Sequence, residues 1–105
     1  MNLTGELLIG QQTVKGARDP IVAINPATGE RLPTEFFGGT AEDVARACEL
    51  AWSAFDTYRE SSLEERARFL ETIADEIEAI GDDLIERAVA ESGLPQGRIQ
   101  GERGR

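Results

Sequence analysis

A lone cysteine and a glycine- and arginine-rich C-terminal run are the features of this 105-residue chain from which chemistry could be built. A nucleophilic cysteine needs a nearby base or positive surroundings that favour its thiolate. Cys48 instead has Glu42, Asp43 and Glu49 close by in sequence, which oppose that form. Its place in the series Val44, Ala47, Cys48, Ala51 and Phe55 makes it a buried packing residue on an apolar helix face. The chain has no histidine, which removes imidazole acid–base chemistry, and with one cysteine the N/S ligand sets of zinc cannot be assembled. One cysteine also excludes an internal disulfide, in keeping with a reducing compartment.

The run Gly97-Arg-Ile-Gln-Gly-Glu-Arg-Gly104 combines glycine with arginine as phosphate loops do. Neither G-x-G-x-x-G nor G-x-x-x-x-G-K-[ST] is present, and no apolar strand precedes it. Gly97, Gly101 and Gly104 fall instead on one helical stripe, where another backbone could come very close. Each glycine costs about 0.8–1 kcal/mol relative to alanine in a helix. No apolar face offsets that cost, so this end is read as an element cut short of its packing partner. Glu64, Glu65, Glu71, Asp75 and Glu76, interleaved with Arg66 and Arg68, form a solvated helix face with a stabilising Glu64–Arg68 pair at i,i+4. Of Trp52, Phe55 and Tyr58, Phe55 sits on the apolar face. The other two lie at its edge, placed for contact with other parts of the protein rather than with a base or sugar. No catalytic and no cofactor-binding residue is therefore expected in this chain.

Residues 1–39 carry turn chemistry at hairpin spacing. Glu6–Ile9 and Gln12–Val14 flank Gly10-Gln11, and glycine at the first turn position suits a two-residue connection. A second pair, Ile21–Asn25 and Glu30–Phe37, is joined by Pro26-Ala-Thr-Gly29, with Pro26 presetting φ and Gly29 closing the turn. From residue 40 the period changes from two to about 3.6. Thr40-Ala-Glu-Asp43 caps a first helix reaching about Arg59, with the Cys48 series as its inward face. Ser62-Leu-Glu-Glu65 caps a second, with Ala67, Leu70, Ile73, Ala74 and Ile77 inward. Gly81 breaks it, and a third helix from Asp82 or Asp83 runs to Gly93 with Leu84, Ala88 and Val89 inward. Pro95 opens a fourth.

A chain of this length is one domain at most, and it is only marginally able to stand alone. Its net charge of −9 is concentrated in residues 40–92, which hold 15 acidic and 5 basic side chains, so phosphate backbones and anionic lipid heads are repelled. Neither nucleic acid nor a membrane is expected as a partner. No apolar run approaches the ~18 residues of a span, and the first ten residues lack the pattern of a secretory signal, so a cytoplasmic location is expected.

The order Asn25-Pro-Ala-Thr-Gly-Glu30, Ala41-Glu-Asp-Val44, Glu65-Arg-Ala-Arg68 and Glu91-Ser-Gly-Leu-Pro95 closely resembles the opening of the aldehyde dehydrogenase superfamily, over nearly the whole chain. The ending from Leu94 to Arg105 looks most like the branch acting on α-ketoglutarate semialdehyde. The resemblance implies an α/β parent fold with a Rossmann-type cofactor domain. Residues 1–105 would form the N-terminal, incomplete part of that domain, with hairpins in 1–39 and helices in 40–105. It further implies an oxidoreductase that takes an aldehyde to a carboxylate with NAD or NADP, working as a homodimer or homotetramer. The thiolate, the assisting glutamate and the cofactor-binding strands would lie in the remainder of the enzyme, so the fragment alone is expected to be inactive. Some members hold Na⁺ or K⁺ near the first strand. The matching positions are Ala23, Ile24 and Glu91, whose hard oxygens suit such an ion. A reading from another class is a small non-enzymatic helical module whose exposed helix faces bind a protein partner.

Overall fold

The structure is a computed structural model that describes residues 2–105. The chain divides into two compact units, one made of residues 3–22 and 34–62, the other of 23–33 and 63–105 together with Asn2.

In the first unit, β1 (Leu7–Ile9) and β2 (Gln12–Val14) form an antiparallel hairpin in which Leu7 faces Val14 and Ile9 faces Gln12. The connection is Gly10-Gln11. Gly10 has φ of 62° while Gln11 keeps a negative φ, the combination of a type II′ turn, whose twist matches that of the strands. A second antiparallel ladder pairs β3 (Pro20–Ile21) with β4 (Phe36–Phe37), Pro20 facing Phe37 and Ile21 facing Phe36. The Lys15 ammonium lies 4.7 Å from the centre of the Phe37 ring, covering part of its exposed face.

Helix α1 (Ala41–Arg59) opens with the expected capping box. The Asp43 N–H donates to Thr40 Oγ1 at 3.2 Å, and the Thr40 N–H donates to Asp43 Oδ2 at 2.8 Å. The helix meets the hairpin through a face the apolar periodicity did not single out. Leu50 reaches Gly10 so closely that a Cβ there would lie 2.9 Å from Leu50 Cδ1, and Asp43 and Arg46 flank the same contact. At 100° per residue this row is rather more than a third of a turn from the Val44–Cys48–Ala51–Phe55 stripe.

The second unit holds the Asn25–Gly29 turn and three helices, α2 (Leu63–Ile80), α3 (Asp82–Ser92) and α4 (Gln96–Arg103). The boundaries follow the punctuation read from sequence, with α2 starting directly after Ser62, Gly81 separating α2 from α3, and Gly93 ending α3. Pro95 is the N-cap of α4 rather than its first helical residue. Ile85, at 2% exposure, is the fully buried hydrophobic side chain among the described residues, set among Ile77, Leu84, Ala88 and Ile99. Arg103 of α4 reaches Glu78 at 3.6 Å and Asp82 at 3.8 Å.

The Ile21–Asn25 and Glu30–Phe37 runs pair as foreseen, but not as continuous strands. Ile24 faces Arg31 in an isolated bridge near the turn, whereas Ile21 faces Phe36 farther out. Two residues separate the pairs on the outgoing side and four on the return. The surplus falls where Pro33 offers no N–H and Thr34 takes a φ of 85°, so the ladder is interrupted there.

The helix faces depart from expectation in burial. The stripe of α1 is uncovered, Cys48 is exposed rather than buried, Phe55 is 54% exposed and Trp52 81%. On α2, Leu70 is 63% exposed, and Ile73 and Ile77 are exposed with it. Among the described residues these stripes stay largely exposed, with Ile77 at the end of α2 joining the Ile85 cluster.

Candidate functional site

The Asn25–Gly29 turn and the C-terminal half of α3 are brought together by two long-range contacts. The turn is built from local chemistry. The Gly29 N–H donates to the Asn25 carbonyl at 2.8 Å, the Asn25 N–H to the Glu30 carbonyl at 2.9 Å, and the Ala27 N–H to Asn25 Oδ1 at 2.9 Å. At the end of α3, Gly93 adopts the left-handed conformation, with φ of 68° and ψ of 9°, and its N–H donates to the Val89 carbonyl at 2.8 Å. Pro26 rests on this cap, and a Cβ built on Gly93 would lie 2.8 Å from Pro26 Cγ. The second contact is made by Arg87, whose Nη1 donates to the Pro33 carbonyl at 3.0 Å and whose Nε donates to Glu91 Oε1 at 2.6 Å.

All three positions expected to hold a monovalent cation, Ala23, Ile24 and Glu91, lie in this unit. Their oxygens have different occupations. The Ala23 carbonyl accepts the Leu32 N–H at 2.8 Å. Because Ala23 and Asn25 carry the hydrogen bonds to the return segment, Ile24 belongs to a non-hydrogen-bonded pair and its carbonyl is turned away from Arg31. The Glu91 carboxylate is held by the Arg87 guanidinium. A second cation about 4 Å from that guanidinium would be repelled by roughly 1–4 kcal/mol, depending on the effective dielectric. The Arg87 guanidinium beside Glu91 therefore weighs against a bound Na⁺ or K⁺ at these positions. Sequence reasoning passed over Arg87, although its i,i+4 spacing to Glu91 was a readable signal. Its reach to Pro33, 54 residues back, had no local signature.

The other candidate residues are not gathered at one place. Cys48 lies with Ala51, Trp52 and Phe55 along an open apolar groove on α1. A Cβ at Gly97 or Gly101 would meet nothing within 4 Å, so that face of α4 is open. Gly104 caps α4. Glu64 and Arg68 make the expected pair, but at 3.9 Å between largely exposed side chains, a contact that contributes little. No helix among the described residues is long and apolar enough to cross a membrane.

Residues 13–105 match the model described as the aldehyde dehydrogenase family. Over its full length the chain is 58% identical to alpha-ketoglutaric semialdehyde dehydrogenase 2 of Azospirillum brasilense, and it covers 20% of that protein. It is 37% identical, over 96% of its length, to alpha-ketoglutaric semialdehyde dehydrogenase of Acinetobacter baylyi, covering 19% of it. Over 70% of its length it is 39% identical to the NADP(+) enzyme succinate-semialdehyde dehydrogenase 1 of Mycobacterium tuberculosis, covering 16%. The chain thus spans about a fifth of the length of the curated relatives it matches.

Proposed function

The chain belongs to the aldehyde dehydrogenase family, and on that premise we propose that it forms the N-terminal part of an NAD(P)-dependent enzyme oxidising α-ketoglutarate semialdehyde to the carboxylate. The observation that carries this reading is the 58% identity to the Azospirillum protein over an alignment that covers the whole chain. In this role residues 1–105 are scaffold and belong to a Rossmann-type cofactor domain completed by later sequence. The uncovered stripes of α1 and α2 and the open glycine face of α4 are what such an arrangement requires, because those surfaces are then buried against the remainder of the enzyme. Similarity that extends end to end within a much longer enzyme favours this over a free-standing interaction module.

The reaction consumes aldehyde, water and NAD(P)⁺ and yields carboxylate, NAD(P)H and two protons. Its nucleophilic thiolate and the glutamate that assists hydrolysis are assigned to the remainder of the enzyme. Cys48 stays outside the chemistry, since its neighbours are Ala51, Trp52 and Phe55 and no base lies among them. A homodimer or homotetramer in the cytoplasm completes the proposal.

The test is the kcat/KM of the full-length protein for α-ketoglutarate semialdehyde against succinate semialdehyde, followed as NAD(P)H absorbance with each nucleotide. A site built to hydrogen-bond the α-keto group discriminates against a substrate lacking it, so a preference of about tenfold or more for the α-ketoglutarate derivative is expected. Equal rates would overturn the substrate assignment. No nucleotide reduction with either aldehyde would overturn the activity itself.

A further inference from the structure

Arg87 joins two groups that a bound metal ion would also seek, a main-chain carbonyl of the 23–33 segment and the carboxylate on α3. Its Nη1 donates to Pro33 O and its Nε to Glu91 Oε1, at 3.0 and 2.6 Å. The guanidinium is planar and permanently charged, so it can serve both acceptors at once and in fixed directions. The side chain is only 16% exposed, which limits screening of the pair by solvent and salt.

We propose that Arg87 is the resident cation of this junction, standing in for Na⁺ or K⁺ and positioning the Asn25–Gly29 turn against the end of α3. The expected ion site agrees with this, because its one charged group, the Glu91 carboxylate, already has a positive partner whose charge opposes a second cation beside it. The contact of Pro26 with Gly93 supplies a second fixed point, six residues or about 9 Å farther along the helix axis. Two separated points fix the direction of the turn as well as its position. Arg87 is thus a positioning residue, and it makes this junction independent of the dissolved cation.

The proposal is tested by amide hydrogen exchange at Asn25 and Leu32 in the full-length protein, in sodium, potassium and choline chloride at equal ionic strength. Exchange in the unmodified protein is expected to be the same in all three salts. In Arg87→Gln it is expected to speed up by about tenfold or more at both amides, as the loss of a charge-assisted hydrogen bond implies. Arg87→Lys should fall between, because an ammonium keeps the charge without the fork. Slower exchange of the unmodified protein in sodium or potassium than in choline would overturn the proposal, as would Arg87→Gln exchanging like the unmodified protein. Should Arg87→Gln fail to fold, the salt comparison and the lysine variant still decide. Either outcome leaves the semialdehyde activity to its own assay.

Discussion

Gly93→Ala lowers the stability of the full-length protein by about 2–5 kcal/mol, measured as a shift of the urea midpoint at constant slope. Two costs add. A residue with a Cβ in the left-handed conformation, here at φ of 68°, costs about 1–2 kcal/mol. The new methyl would also stand 2.8 Å from Pro26 Cγ, and overpacking of that kind costs about 1–3 kcal/mol. Pro26 belongs to a turn held by its own hydrogen bonds, so it cannot retreat without disturbing the Asn25–Glu30 closure. A stability loss of no more than about 1–2 kcal/mol, the backbone cost alone, would show that the turn and the end of α3 are not in contact.

Phe55→Asp has two different expected outcomes in the two settings where it can be measured. In the 105-residue chain the ring is 54% exposed and lines an open groove, so the substitution leaves the far-ultraviolet circular dichroism nearly unchanged. In the full-length protein, where the stripe of α1 is proposed to be covered, losing the ring costs about 3–5 kcal/mol, and an unpaired buried carboxylate adds to it. A mild effect in the full-length protein, equal to that in the short chain, would mean that this face remains in solvent and that the exposed stripe has another purpose.

The features legible in sequence were those whose causes lie within a few residues. The Gly10-Gln11 turn, the Thr40–Asp43 capping box and the ends of α3 at Gly81 and Gly93 each rest on local geometry and emerged where the residues placed them. Contacts between distant segments were not legible. Leu50 was passed over because it stands off the main stripe, and nothing near it in sequence announces that it meets Gly10. Ile85 was likewise passed over in favour of its neighbours Leu84 and Ala88, although it is the residue that α4 helps to enclose. The burial assigned to Cys48, Phe55 and Leu70 failed for a different reason. Periodicity reports which face of a helix is apolar, but whether something covers that face depends on a partner surface. The candidate site shows both regimes at once, since Glu91 and its i,i+4 partner Arg87 are adjacent by helix geometry, while the carbonyl that completes the arrangement comes from Pro33.

In the proposed enzyme this chain is the scaffold of a semialdehyde dehydrogenase whose chemistry is carried by other residues. That role is tested most directly by assaying the 105-residue chain and the full-length protein side by side for NAD(P)H formation with α-ketoglutarate semialdehyde. Steady turnover by the full-length protein, with none above the uncatalysed rate for the chain, is the expected result; nucleotide reduction by the chain alone would contradict the account.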